Sequence, residues 1–270
     1  MANAMRVTYV LNVPVGELLR EWRVQRRLSQ LELSATAGVS TRHLSFVENG
    51  RSRPSREMVL HLSSCLRVPL RDRNRLLIAA GFAPMFLDGP LDDPGRAGVR
   101  AAIDAVLAAH EPWPAIVVDR MWDLITANRA ARSLLGAGVA DHLLNPPINV
   151  LRVCLHPEGL APAITNLPAM AAHVLGGLRR QIEALGDPKL AALADELESY
   201  PGVRGIQNPG DESANGVAVT MRLRRGDAEL ALVSMVATFG TAVDATLSEL
   251  TLETFLPANR ETAAWLQDHA

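Results

Sequence analysis

The stretch Ser29-Gln30-Leu31-Glu32-Leu33-Ser34-Ala35-Thr36-Ala37-Gly38-Val39-Ser40-Thr41-Arg42-His43-Leu44-Ser45-Phe46-Val47-Glu48-Asn49-Gly50 decides how the front of this 270-residue chain folds. Ser29 followed three residues later by Glu32 is a capping box, and it opens a helix whose inner side carries Leu33 and Ala37. Gly38 breaks that helix. Ser40 then caps a second one, with Leu44 and Val47 turned inward and Asn49-Gly50 as its stop. Two short helices joined by a glycine turn need a small residue where they cross and apolar residues that lock them together. Ser34, Gly38, Val39, Leu44 and Val47 meet those needs, and a serine at the crossing requires its hydroxyl to bond its own helix.

Outward from this pair, Val15, Leu18, Leu19 and Trp22 repeat at helical spacing, and Arg51 to Pro54 reads as a loop. Ser55 and Met58 begin a fourth helix through Leu66, and a fifth runs from about Arg71 to Ala80 before Gly81 and Pro84. The expectation is an all-α domain of five helices over 1–87. Asp88-Gly89-Pro90-Leu91-Asp92-Asp93-Pro94-Gly95 is turn-rich and opens a linker over 88–98. A second domain would occupy 99–270.

Charge separates the two halves. The first 90 residues carry 13 arginines against 7 acids, net +6, and the rest carry 14 Arg/Lys against 22 acids, net −8. A basic module joined to an acidic one fits a nucleic-acid binder attached to a part that does not touch nucleic acid. With 48% hydrophobic and 21% charged residues the chain reads as globular rather than disordered. No stretch suggests a membrane span, and the N-terminus lacks the pattern of a secretory signal, so the expected location is the cytoplasm. Cys65 and Cys154 form no spaced metal pair and read as reduced core residues.

In the rear domain, Val99, Ile103, Val106 and Leu107 make one amphipathic helix ending near His110. The period then changes to strand, turn, strand: Ala115 to Val118 and Leu124 to Ala127 flank Asp119-Arg120-Met121-Trp122, and Asn128 can cap the next helix. Asn149 to Leu155 reads as another apolar, strand-like run. Helices follow at about 168–185 and 187–199, the second with Asp187 as cap and Pro188 at its first position. Val217 to Leu223 and Leu230 to Ala237 form a hairpin about Arg225-Gly226-Asp227, Leu250 and Leu252 mark a fifth strand, and a last helix starts near Ala258. This is an α+β domain with one five-stranded antiparallel sheet.

The stretch from Ser29 to Gly50, with Arg51-Ser52-Arg53-Pro54-Ser55 after it, resembles the helix-turn-helix of the Xre/Cro phage-repressor family. The resemblance implies double-stranded DNA as partner. In such motifs the start of the second helix meets base edges in the major groove, which assigns Thr41 and Arg42, with His43, Ser45 and Phe46 nearby. Arg42 suits a bidentate guanine contact and Thr41 a thymine methyl or hydroxyl contact. Gln30 and the loop with Asn49, Arg51 and Arg53 would hold phosphates. Glu48 would repel DNA, and with Arg23 it reads as a buried structural pair. A single small motif makes few base contacts, so a homodimer on a palindromic operator is expected.

Val117 to Asn128 is similar to the opening hairpin of a PAS-type sensor. Together with Pro69 to Asn74, Ala79 to Pro84, Pro90 to Pro94, Ala109-His110-Glu111-Pro112, Leu155-His156-Pro157-Glu158-Gly159-Leu160 and Thr238-Phe239-Gly240-Thr241, it closely resembles the MmyB-like regulators from about Val15 to Trp265. These are helix-turn-helix proteins with a PAS-like ligand-binding domain. The resemblance implies a cavity between sheet and helices for a small, mostly apolar molecule, fatty-acid-like ligands included. Trp122, Val153, Leu155, Met170, Val174, Leu178, Met221, Met235 and Phe239 are the candidate lining, and Arg152, His156 and Asn166 the candidate polar groups; a core or capping role for His156 stands equally open.

Two other readings remain at this level. Cys154 and His156, two apart in a strand, would share a face as a thiolate-imidazole pair, the pattern of a nucleophile. Nothing else joins them: no catalytic or phosphate-loop motif and no zinc or haem spacing is present, so no enzyme, no cofactor and no metal are expected. The second reading makes the rear domain a dimerisation or protein-interaction module without ligand.

Overall fold

The computed structural model describes residues 13–136, 138–206, 219–238 and 244–269. These divide into two compact units. Residues up to Pro90 together with 244–248 form the front unit, and the remaining described residues form the rear one. No helix among them is long and apolar enough to cross a membrane.

The front unit has α1 (Val15–Gln25), α2 (Gln30–Ala37), α3 (Thr41–Glu48), α4 (Arg56–Cys65) and α5 (Leu70–Ala79). The caps fall where the sequence put them. Ser29 and Glu32 close the capping box, Ser40 accepts from the His43 amide, and Ser55 accepts from the Met58 amide. Gly38 ends α2 in the left-handed region at φ 62°, a conformation without steric cost only for glycine. Ser34 is buried and donates to Leu31 O at 2.9 Å, so its hydroxyl is satisfied within its own helix as the crossing demands. Leu19, Leu33, Leu44, Val47, Val59, Leu62 and Leu76 make one buried core. Each such side chain contributes about 1.5–3 kcal/mol through burial.

One close approach had no signal in the pattern of apolar residues. A Cβ added at Gly16 would lie 2.2 Å from the carbonyl oxygen of Val47 and 2.8 Å from that of Glu48. Glycine is what lets α1 lie directly on the end of α3. A further short helix, α11 (Ala245–Ser248), completes this unit. There Thr246 Oγ1 donates to Gly89 O at 2.9 Å and Arg71 pairs with Asp88 at 2.6 Å.

The rear unit runs α6 (Ala97–Ala109), β1 (Ala115–Val118), β2 (Leu124–Ala127), α7 (Arg129–Gly136), α8 (Val150–Leu155), α9 (Leu167–Leu185), α10 (Pro188–Ser199), β3 (Thr220–Arg225), β4 (Ala228–Thr238), β5 (Thr251–Pro257) and α12 (Arg260–His269). Its five strands form one antiparallel sheet in the order β2-β1-β5-β4-β3, consistent with a PAS-like fold. The first hairpin is shaped by Asp119, whose Oδ1 accepts from the amides of Met121 and Asp123. Asn128 is buried, and its Oδ1 accepts from Ala115 N and Ala131 N, so one side chain both caps α7 and fixes it to β1.

The run from Asn149 to Leu155 is a helix, not a strand. A short apolar run fits either state, and the capping side chain decides. Asn149 Oδ1 accepts from Arg152 N, while its Nδ2 donates to Met121 O and Asp123 Oδ1. β5 extends to Pro257, well past Leu252, because Phe255 and Leu256 pair with Ser234 and Val233. The third strand is described from Thr220, and its expected start at Val217 lies outside the described residues.

Candidate functional site

α3 stands at the surface of the front unit, braced from behind. Glu48 at its end has no exposed side chain, and Arg23 from α1 grips it with Nε at 2.7 Å and Nη2 at 2.9 Å. The hydrogen bonds to Glu48 raise the guanidinium's already high pKa. Arg23 also donates to Leu28 O, so the pair ties α1, the α1–α2 turn and α3 together. The expected structural role for this pair is what the geometry provides.

At the start of α3, Thr41 and Arg42 are exposed, and along the rest of the helix His43, Ser45 and Phe46 are half-buried. The Arg42 guanidinium carbon lies 5.4 Å from the centre of the Phe46 ring, within cation–π range. The Thr41 hydroxyl is 2.9 Å from that of Ser34, so it is held by the helix crossing and leaves the methyl as the freer part. The Gln30 side chain turns inward, its Nε2 donating to Glu48 at 2.7 Å. Asn49 bonds back to Ser45, while Arg51 and Arg53 are exposed and form no ion pair among the described residues.

The rear unit holds a cavity of about 160 Å³ between the inner face of the sheet and α7, α8 and α9. Ile116 on β1, Met221 and Leu223 on β3, Leu232, Ser234 and Val236 on β4, and Glu253 and Phe255 on β5 form its floor. Leu134 and Leu135, Val150, Leu151 and Cys154, and Met170, His173, Val174 and Gly177 form the opposite wall. Trp122 closes one side. It sits in the left-handed region at φ 65° and donates its Nε1 to Gln181 of α9, which in turn donates to Arg120 O.

Four expected lining residues, Trp122, Met170, Val174 and Met221, line this cavity. The others are elsewhere. Val153, Leu155 and Leu178 are packed core, and Met235 faces outward with 55% of its surface exposed. Phe239 lies outside the described residues. None of the three expected polar groups reaches the cavity. Arg152 makes a bidentate pair with Glu196, and Asn166 clamps the edge strand by donating to Thr220 O and accepting from Arg222 N. His156 packs edge-on against the rings of His142 and Tyr200. The polar groups that do line it are Glu253, Ser234, Cys154 and, at an exposed position on α9, His173. Partial burial of the ring and the nearby Arg180 charge hold the His173 imidazole below its usual range.

The helical course of α8 also dissolves the thiol–imidazole pair. Two residues apart on a helix point about 200° around the axis from each other. Cys154 faces the cavity, where burial and the Glu253 charge push its thiol up to about 12. That is the reverse of an activated nucleophile. Among the described residues the nearest approach to a metal-ligand set, His142, His156 and Glu158, is weakened because His156 Nδ1 accepts from the Glu158 amide. In the neutral ring the proton is then on Nε2, which leaves no free lone pair.

A helix pair braced for display on a basic unit, joined to a unit with an apolar cavity, is the arrangement of a DNA-binding regulator with a ligand-binding domain. Residues 19–72 match a helix-turn-helix model, and residues 99–268 match the MmyB-like transcription regulator ligand binding domain. The chain belongs to the MmyB-like transcription regulators. No curated protein matches it. Among solved structures, an RNA-binding light-oxygen-voltage receptor matches at 15% identity and a TM-score of 0.24 over 99% of this chain, which spans 64% of that receptor's chain.

Proposed function

We propose that this regulator binds a palindromic operator as a homodimer through α3, and that a small, mostly apolar effector in the rear cavity sets its operator affinity. The cavity carries the reading: its volume is close to the roughly 150 Å³ that suffices for a benzene-sized guest, and its wall is almost wholly apolar. β4 and β5 both floor the cavity, and the chain between them supplies α11 to the front unit. An effector that shifts these strands therefore acts on a segment that belongs to the same compact unit as the DNA-reading helices. Native mass spectrometry of the full chain is expected to give a dimer carrying a small adduct that is lost on denaturation. A bare monomer would contradict the reading.

On DNA, Thr41 and Arg42 contact base edges with His43, Ser45 and Phe46 beside them, while Asn49, Arg51, Arg53 and the amide end of α2 at Gln30 hold phosphates. Replacing Arg42 with alanine is expected to relax base preference at one position per half-site, at a cost of about 1–3 kcal/mol. Selection from random DNA checks this, and an unchanged motif would remove Arg42 from the readout.

A further inference from the structure

One carboxyl interrupts the apolar cavity. Glu253 on β5 lies on the cavity floor with Phe255, two residues along the same face. Its Oε1 accepts the hydroxyl hydrogen of Ser234, its diagonal neighbour on β4. Among the described residues Oε2 accepts no hydrogen bond, and no cation pairs with the carboxylate. The surroundings are the Cys154 thiol, itself held protonated, and aliphatic or aromatic side chains. Burial accordingly raises the carboxyl's pKa, with the Ser234 bond opposing that rise.

Glu253 Oε2 is thus an open acceptor on an otherwise apolar cavity surface, and a guest that covers it does so at least cost when it donates a hydrogen bond there. A second carboxylate brought against it meets like-charge repulsion. Resting on the reading of the cavity as an effector site, we infer that the effector presents a hydrogen-bond donor, an amine or a hydroxyl, to Glu253 Oε2. Ser234 orients the carboxyl for that contact, and an effector's acidic end is excluded from this point of the cavity.

The test is calorimetric titration of the full chain with three probes of one chain length, hexylamine, hexanol and hexanoate, against wild type, Glu253→Gln and Glu253→Leu. Wild type is expected to bind the amine and the alcohol at least about tenfold more tightly than the acid. Glu253→Gln, which keeps an acceptor oxygen but no charge, should lose the advantage of the amine and keep that of the alcohol; Glu253→Leu should lose both. Melting curves establish that each variant is folded, and if neither folds the wild-type ranking decides. Hexanoate binding as tightly as the others, or an unchanged ranking in Glu253→Leu, would overturn the inference and leave the cavity reading intact. Failure of all three probes to bind would overturn both.

Discussion

Alanine in place of Glu48 is expected to destabilise the front unit by about 3–5 kcal/mol, because it strands a buried guanidinium. The Glu48 side chain is fully buried and that of Arg23 is 10% exposed, so water cannot replace the lost partner. The Gln30 amide would lose its acceptor as well. Denaturant unfolding of the full chain, followed by a probe in the front unit, measures the loss. The physical origin has its own signature: replacing both partners together, Arg23→Met with Glu48→Leu, should recover much of the stability, since no buried charge is then left without its partner. A loss below about 1 kcal/mol for the single variant would mean that the pair does not brace α3.

The salt dependence of operator binding should be nearly as large an effect. With Arg51 and Arg53 on phosphates in each protomer of a dimer, four charges are neutralised and the logarithmic slope is about −3.6. A fourfold rise in salt then weakens binding by about a hundredfold. Arg53→Ala should lower the slope to about −1.8 and the same loss to about tenfold, alike on operator and unrelated DNA. Equal slopes for the two proteins would remove Arg53 from the backbone contacts.

The front unit was legible because its signals are local and chemical. Ser29 with Glu32, Ser40, Ser55 and Gly38 each perform at their own position the task their residue type implies. Gly16 was silent, since its importance comes from two carbonyl oxygens about thirty residues away. In the rear unit the same contrast recurs. Asn128 could be read as a cap, whereas Asn149 lay before an apolar run that suits strand and buried helix alike, and its bonds to the first hairpin are long-range.

The cavity was legible in kind and only partly in membership. It is the space that some apolar side chains fail to fill, and Trp122 and Met170 beside it are of the same types as Leu155 and Leu178 in packed core. Polar candidates chosen for their chemistry, Arg152, His156 and Asn166, proved to have partners among the surrounding side chains and backbone. Glu253 was missed because an acidic residue in an alternating strand reads as solvent-facing, and only strand register places it beside Ser234.

An effector can change operator affinity only by binding the two states of the regulator unequally, and a tenfold change requires about 1.4 kcal/mol of difference. That is less than two buried methylenes supply at about 0.8 kcal/mol each. The most direct test strips the purified full chain of bound small molecules, adds back apolar chains of graded length bearing acid, alcohol or amine ends, and follows melting temperature and operator affinity together. The chains that raise the melting temperature are expected also to shift operator affinity by about tenfold or more. A flat response in both, with no small molecule recovered from the untreated protein, would contradict it and leave the rear unit as a dimerisation module.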